Sequence, residues 1–241
     1  MKEKFQMTDD DFKAYSDDTG FDPVELPDHP VQLAPEHIDA LKKIVGEQNL
    51  STTDYDRLSV AYGATAYDLL RLRHKRIDSV PDVVLYPETS EQVEQIVAYS
   101  TEHHIPLYVY GGGSSVTRGV EPTKGGISLD MRRNFNKVIS FNEIDQTITV
   151  QAGMSGPDLE KTLQNAPELF GAKRQYTCGH FPQSFEYSSV GGWTVTRGAG
   201  QNSTYYGTIA DIVLSQKYAT PIGVIQTSHY SREATGPNLN Q

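Results

Sequence analysis

A run of three glycines followed by hydroxyl-bearing side chains is the feature of this sequence best suited to chemistry. It extends from Gly111 to Thr117 and follows Leu107 to Tyr110, which has the composition of a strand. Glycines let a ligand approach the backbone closely, and free N–H groups and hydroxyls at a strand end can bind the oxygens of a diphosphate. Taken alone, the run is equally consistent with a glycine-rich turn between two elements.

The spacing of this run excludes the two common nucleotide-binding loops. A Rossmann loop, G-x-G-x-x-G, beginning at Gly111 would need glycine where Val116 stands. A Walker A loop needs Gly-Lys-Ser or Gly-Lys-Thr, and neither triplet lies near the run. A diphosphate site here must therefore be of another type.

A second segment of small and hydroxyl-bearing residues, from Cys178 to Gly200, favours an extended ligand over a simple turn. Its Gly191-Gly192 pair would let the start of a helix approach a phosphate. His180 could act as a general base or stabilise charge, because histidine titrates near neutral pH. The alternative for His180 is a structural histidine that is hydrogen-bonded within a glycine-rich loop.

The remaining candidates in this segment have simpler interpretations. Cys178 is the only cysteine, so no internal disulfide can form, which indicates a reducing, cytoplasmic compartment. A Cys-x-His pair is too small a ligand set for a metal, which needs about four ligands; we predict no metal site and interpret Cys178 as a packed small residue. Trp193 is expected in the core, and Arg197 beside a phosphate or a carboxylate.

Two helices are predicted before the glycine run. The first begins at Pro35, carries one apolar stripe and ends at Gly46. The second extends from about Ala66 to Lys75, and its three leucines are expected to pack inward. Its basic run, Arg71 to Arg76, is interpreted as a solvated helix face, with an anion or subunit contact as the alternative. Residues 1–35 are predicted to form an extended arm with a short helical piece near Phe12.

The main part of the chain is predicted to alternate strands and helices, which indicates an α+β fold. The predicted strands are 82–86, 107–110, 127–131, 138–141 and 146–152. The predicted helices are 91–103, with Thr89 or Ser90 as the cap, and 157–163, with Ser155 or Gly156 near the cap. The apolar runs 209–214 and 222–225 are predicted to pair as a hairpin.

The bulk composition limits the function classes. At 241 residues and 37% hydrophobic content, the chain can form one substantial core or one core split into two lobes. The net charge of −10 argues against a nucleic-acid partner, because phosphate neutralisation needs clustered Lys and Arg. Residues 1–18 lack the apolar region of a secretory signal, and no run approaches the roughly 18 apolar residues of a spanning helix. Peripheral membrane contact stays open.

Three stretches together, 81–117, 178–200 and 206–213, resemble the FAD-linked oxidases of the vanillyl-alcohol oxidase (PCMH-type) superfamily. Within it, the run G-H-x-P-x-S-x-E-(F/Y)-S followed by Y-G-x-I-x-D-I-V is most similar to the alkyldihydroxyacetonephosphate synthases. The resemblance covers about residues 51–238. It implies a PCMH-type FAD-binding domain of two lobes over residues 51–241, with the cofactor extended between the lobes and an N-terminal arm and helix in residues 1–50.

The resemblance also implies the site residues. His180 matches a histidine that the synthases use near the flavin ring, and covalent attachment of flavin through Cys178 is disfavoured. Two positions depart from the family pattern: Gln183 stands where aspartate is usual, and Gly198-Ala199 where Ala-Ser is usual. The positions that match FAD-contacting residues are Tyr110, Gly111, Gly112, Gly113, Ser114, Ser115, Val116, Gln183, Ser184, Phe185, Glu186, Tyr187, Ser188, Ser189, Thr196, Arg197, Gly198 and Ala199.

Two reactions are implied. One replaces the acyl group of an acylated dihydroxyacetone phosphate by a fatty alcohol, giving an ether lipid. The other oxidises a 2-hydroxy acid or an alcohol by hydride transfer to the flavin. The family continues beyond the equivalent of Asn238 into a further glycine-rich segment and a substrate-binding cap domain. We therefore expect an incomplete, inactive FAD-binding part, whose small-molecule or lipid-precursor substrate would contact the cap; a catalytically silent flavin-binding module and a homodimer are further expectations.

Overall fold

The computed structural model describes residue 8 and residues 23–227. Short helices and strands alternate between Pro35 and Gln226. The helices are α1 (Pro35–Val45), α2 (Asp54–Ser59), α3 (Ala66–Arg73), α4 (Ser90–Glu102), α5 (Gly156–Gln164), α6 (Ala166–Phe170), α7 (Val190–Thr196), α8 (Ser203–Tyr206) and α9 (Ile209–Ile212), with a 3-10 turn at Glu47–Asn49. The strands are β1 (Leu50–Ser51), β2 (Val83–Leu85), β3 (Leu107–Tyr110), β4 (Ile127–Asp130), β5 (Val138–Asn142), β6 (Thr147–Val150), β7 (Lys217–Thr220) and β8 (Gly223–Gln226).

The first lobe is built on a four-stranded sheet of order β1-β2-β4-β3. Strands β2, β4 and β3 are parallel, and β1 pairs antiparallel with β2. Every residue of β2 and β4 is buried, as expected for central strands of a parallel sheet. Helices α1 and α4 contribute Leu41 and Ile96 to the core of this lobe. The loops after β3 and β4 therefore leave the sheet at its carboxyl edge, where ligands of open α/β sheets bind.

Local signals place the helices of this lobe as predicted. Pro35 is the first residue of α1, and Gly46 ends it with a φ of 88°. Thr89 caps α4 in a capping box, in which its side chain accepts from the amide of Gln92 while the Gln92 side chain accepts from the Thr89 amide. These two helix assignments are confirmed.

The second lobe packs around Trp193. The β5–β6 hairpin and helices α5, α7 and α9 surround a core that includes Met154, Leu159, Leu163, Trp193 and Ile209. The lobe meets the first at Gly153, whose amide donates to the carbonyl of Phe135 over 2.8 Å. A Cβ on Gly153 would lie 1.9 Å from the carbonyl oxygen of Met131. Only glycine fits there, so the two lobes share a close backbone contact.

Helix α3 contradicts two predictions. Its leucines, Leu69, Leu70 and Leu72, are 57%, 49% and 37% exposed, so the expected inward packing is wrong. Arg71 is 2% exposed, so the basic run is a solvated face only beyond that residue. The physical reason is a tertiary contact: Arg71 faces the interior, where its guanidinium pairs with Glu121, and Asp68, three residues earlier on the same face of the helix, is buried with it.

Arg71 is the centre of a buried ion network. Its guanidinium lies 2.8 Å from a carboxylate oxygen of Glu121, 2.8 Å from one of Asp78 and 3.4 Å from one of Asp68. Arg118 also donates to Glu121, over 2.7 Å. Burial would raise the pKa of Glu121, but the hydrogen bonds and charges of the two arginines outweigh it and lower the pKa. The network joins α3 to the chain that follows the glycine run.

For the C-terminal hairpin, the predicted turn is correct and the predicted first strand is wrong. Strands β7 and β8 pair across Pro221 and Ile222, but residues 209–212 form helix α9. A capping box between Thr208 and Asp211 begins this helix, and Gly207 before it has a φ of 88°. Ile209 packs in the Trp193 core, which accounts for the apolar run without a strand.

The N-terminal prediction is tested only in part, because the helical piece near Phe12 lies outside the described residues. Leu26 is buried against Ala61, Tyr62 and Val80, and its amide donates to Asp54 over 2.8 Å. The described portion of the predicted arm therefore packs on the first lobe. In the part of the chain that the structure describes, no helix is long and apolar enough to cross a membrane.

The ion network predicts a large stability effect for one arginine and a small one for its neighbour. Arg71→Met should lower the free energy of unfolding by about 3–5 kcal/mol, because it leaves the buried carboxylate of Asp68 without its cation and Glu121 with Arg118 alone. Arg76→Met, at a side chain that is 68% exposed, should cost less than about 0.5 kcal/mol. Urea unfolding of the two variants checks this. Equal, small losses would show that the network is hydrated and contributes little.

Candidate cofactor-binding site

The glycine run packs directly against the second segment. A Cβ on Gly111 would lie 2.5 Å from the hydroxyl oxygen of Ser189, and one on Gly112 would lie 1.6 Å from the carbonyl oxygen of Tyr187. Because Cβ contacts shorter than about 3 Å are forbidden by steric repulsion, neither position accepts a larger residue without movement. The loop at the carboxyl edge of the first lobe therefore lies against residues 187–189 of the second lobe.

The other side of the loop is fixed by the segment between α2 and α3. Ala64 donates its amide to the carbonyl of Ser115 over 2.9 Å, and a Cβ on Gly63 would lie 2.3 Å from the same oxygen. Gly113 has a φ of 67°, which favours glycine. Among the described residues, no acceptor receives a hydrogen bond from the backbone amides of residues 111–116. The loop thus presents a series of fixed, available N–H donors, as an anion-binding loop does.

Helix α7 lies within the second segment, between the predicted FAD-contacting residues 183–189 and 196–199. Ser189 caps it, with the side-chain oxygen accepting from the amide of Gly192 over 3.3 Å. Gly191 donates its amide to the carbonyl of Ala152, and a Cβ on it would lie 2.7 Å from the Cβ of Ala152. The predicted helix start at the glycine pair is confirmed, and packing on Ala152 explains why Gly191 is glycine. Arg197 ends the helix with a left-handed φ of 54° and is exposed.

His180 lies inside the second lobe. It is 1% exposed, and its ring centroid is 4.9 Å from that of Trp193. Neither ring nitrogen is hydrogen-bonded to a described residue, and a Cβ on Gly198 would lie 3.6 Å from Nε2. Burial lowers the pKa of His180, so the ring is neutral at pH 7. The unpaired nitrogens make His180 a candidate to hydrogen-bond a ligand, since an unmet buried polar group costs about 1–3 kcal/mol.

Two of the predicted FAD-contacting residues, Phe185 and Ser188, also have structural roles. The ring of Phe185 packs in the second-lobe core, and the hydroxyl of Ser188 accepts from Nε1 of Trp193 over 2.6 Å. Trp193 is buried, as predicted. Cys178 is half-buried in the same core, and burial raises the pKa of its thiol to about 11, which leaves it protonated and unreactive at pH 7. Of the described residues, no His, Cys, Asp or Glu cluster could hold a metal ion.

The structure adds residues that the sequence did not identify. A cleft of about 290 Å³ is bounded on one side by Gly112 and residues 186–189. Its other lining residues are Arg132, Asn136, Gly153, Ser155 and Asp158. Arg132 and Asn136 lie just beyond the end of β4, at the same edge of the sheet as the glycine loop. These two residues could be predicted from their position after the carboxyl end of a parallel strand. That prediction requires knowing that β3 and β4 are neighbours in the sheet.

Residues 81–228 match the family described as FAD binding domain. The chain belongs to this family. It is 32% identical over 212 residues to an alkyldihydroxyacetonephosphate synthase of Dictyostelium discoideum, covering 87% of this chain. It is 27% identical over 207 residues to a mitochondrial cytochrome-dependent D-lactate dehydrogenase of Saccharomyces cerevisiae, covering 84% of this chain. It spans about a third of the length of each, 33% in both cases.

Solved structures agree with these relatives. An alkyldihydroxyacetonephosphate synthase superposes with a TM-score of 0.78 at 30% identity, over 87% of this chain and 36% of that one. A 4-ethylphenol oxidase from Gulosibacter chungangensis, at 18% identity and a TM-score of 0.60 over 88% of this chain and 40% of that one, shows the shared fold. The PCMH-type two-lobed α+β fold and FAD as the cofactor, both predicted from the sequence, are confirmed. The relatives are FAD-dependent enzymes.

The site residues fit FAD. The loop offers unpaired amides and glycines at a cleft between two lobes, and such a surface suits a diphosphate. The cleft also presents carboxylate and amide side chains, Glu186, Asp158 and Asn136, that can hydrogen-bond sugar hydroxyls. Beside Gly198, His180 has two ring nitrogens that are not hydrogen-bonded to any described residue.

The lowered pKa of His180 predicts a pH-dependent contribution to stability. As the pH falls below about 6.5, the unfolded chain binds a proton at this residue before the folded chain does. Folding should therefore lose up to about 1.4 kcal/mol per pH unit until the folded pKa is reached. Urea unfolding at about pH 7.5 and about pH 5.5 should show a smaller loss for His180→Phe than for the unchanged chain. Equal losses would contradict a neutral buried imidazole.

Proposed function

We propose that this chain is the FAD-binding part of an enzyme like the alkyldihydroxyacetonephosphate synthases, with the domain over residues 51–241 and the arm and helix in residues 1–50. Residues 110–116 would hold the diphosphate. Residues 183–189 and 196–199 would contact the adjoining parts of the cofactor. The observation that carries this assignment is the contact of Gly111 and Gly112 with residues 187–189, beside unpaired loop amides.

His180 is proposed as the catalytic residue of this part of the chain. When bound, FAD supplies the electron-accepting chemistry of the site. The chain contributes orientation, exclusion of water and a proton acceptor. A neutral His180 can accept a proton at Nε2, the ring nitrogen nearest Gly198. Neither ring nitrogen is hydrogen-bonded to a described residue, so among those residues no donor competes for the nitrogen that accepts the proton.

Similarity supports the synthase-like reaction as the first candidate. The relatives named alkyldihydroxyacetonephosphate synthase reach 32% identity, and the matched solved structure has a TM-score of 0.78. The substrates would be an acylated dihydroxyacetone phosphate and a fatty alcohol. Similarity to D-lactate dehydrogenases supports a second candidate, oxidation of a 2-hydroxy acid. A chain that binds flavin without turnover is the third. Cytoplasmic location, peripheral membrane contact and a homodimer stay predictions.

Turnover assays separate these candidates. The flavin-loaded chain is incubated without oxygen with D-lactate or glycolate, and loss of the visible absorbance of oxidised flavin would support the dehydrogenase. Release of fatty acid together with an ether-linked product from acyl dihydroxyacetone phosphate and fatty alcohol would support the synthase. Bound flavin with neither reaction is the result expected of this FAD-binding part on its own, and it would support the silent module as the description of this chain.

The glycine contact predicts the cofactor affinity of one variant. Gly112→Ala introduces a methyl group where a Cβ would lie 1.6 Å from the Tyr187 carbonyl oxygen, so the loop must move. FAD affinity, measured by flavin fluorescence, should fall roughly tenfold or more, equivalent to at least about 1.4 kcal/mol. Gly119→Ala is the matched control, because nothing lies within 4 Å of its added Cβ. Thermal unfolding checks that both variants fold. Unchanged FAD affinity in a folded Gly112→Ala protein would sink the loop assignment.

A further inference from the structure

The cleft beside Gly112 contains a guanidinium although the chain has a net charge of −10. Arg132 provides it, two residues beyond the end of β4. A diphosphate is a dianion, and arginine matches phosphate oxygens with a planar set of N–H donors. A cation in this position therefore has an electrostatic role that the backbone amides of the glycine loop do not fill.

Arg132 is held in place by two buried groups. Its Nε donates to one oxygen of Asp130 over 3.0 Å, and its Nη2 donates to the other over 2.6 Å. Its guanidinium carbon lies 4.6 Å from the centroid of the Tyr110 ring. The pair with Asp130 uses two of the five guanidinium N–H groups and leaves the other donors for a ligand. The side chain is 42% exposed, so these donors are accessible.

The other nearby arginines are placed less well for this role. Arg133 lies over the ring of Tyr86, with its guanidinium carbon 4.5 Å from the centroid. Arg197 is exposed at the end of α7, and it does not line the cleft. Asp158 and Glu186, which do line it, would repel phosphate and can accept from sugar hydroxyls. The cleft thus offers one cationic lining side chain and separate acceptors, which match a phosphate joined to a sugar.

We propose that Arg132 binds the diphosphate of FAD, and that Asp130 and Tyr110 position its guanidinium for that contact. The inference rests on the proposed placement of FAD at the glycine loop. It assigns the anion-binding side chain to the loop after β4.

The test compares Arg132→Gln with Arg133→Gln as the matched control, because Arg133 follows Arg132 directly, lies over the ring of Tyr86 and does not line the cleft. FAD affinity is measured by flavin fluorescence at several salt concentrations, and folding is checked by thermal unfolding. Arg132→Gln should weaken FAD binding about 10- to 100-fold, because a hydrogen bond to a charged group is lost. It should also reduce the dependence of affinity on salt, since one ionic contact is removed. Arg133→Gln should bind FAD within about twofold of the unchanged chain.

Two further variants test how Arg132 acts. Arg132→Lys keeps the charge without the planar donors, so it should retain the salt dependence and lose about 3- to 10-fold in affinity. If Arg132→Gln does not melt cooperatively, Arg132→Lys takes its place as the test. An FAD affinity of Arg132→Lys equal to that of the unchanged chain would then overturn the inference. Asp130→Asn should weaken FAD binding less than Arg132→Gln, because the guanidinium remains but is released.

The failures of the two proposals are distinguishable. If the unchanged chain binds FAD and folded Arg132→Gln binds it equally well, or if Arg133→Gln shows the larger loss, the inference about Arg132 is wrong and FAD binding stands. If the unchanged chain binds no FAD, the proposed placement of the cofactor fails, and the assignment of Arg132 fails with it.

Discussion

The structure depends on a contact between two backbones that leaves no room for a side chain. At Gly112, a Cβ would lie 1.6 Å from the carbonyl oxygen of Tyr187. Gly112 belongs to the loop after β3 in the first lobe, and Tyr187 precedes α7 in the second. The contact therefore sets how closely the lobes approach, and Gly153 repeats this constraint against the Met131 carbonyl. The width of the cleft follows from glycines at two separate places in the chain.

Elements with strong local signals could be predicted from the sequence. Pro35 and Gly46 mark the two ends of α1, and the Thr89 capping box marks the start of α4. A run of apolar and aromatic residues that stops at glycine marks β3. The convergence of the glycine loop with residues 183–189 is a different kind of property, because it depends on how two lobes dock. Composition indicated that each segment could bind an extended ligand, and the family resemblance was needed to join them.

The wrong predictions arise where composition alone allows more than one arrangement of the segment. An apolar run as short as 209–214 fits a strand or a buried helix equally well, and the Thr208–Asp211 capping box decides for the helix. In α3, the leucines and basic residues interleave, so composition does not determine which face is buried. The Thr65–Asp68 capping box fixes where the helix begins, and the ion pair of Arg71 with Glu121, from a distant part of the chain, fixes which face is buried.

An acidic protein can bind a dianion when its donors are fixed before the ligand arrives. The loop amides are held by contacts on both sides, at Tyr187 and at Ser115, so binding requires little reorganisation. The guanidinium of Arg71 pairs with three surrounding carboxylates, and this network stabilises the chain that follows the loop. Asp130 accepts from two of the five guanidinium N–H groups of Arg132, which leaves the others for a ligand. The difference between these two arginines is the number of buried carboxylates that surround each, and that number separates a structural cation from one that can still receive a ligand.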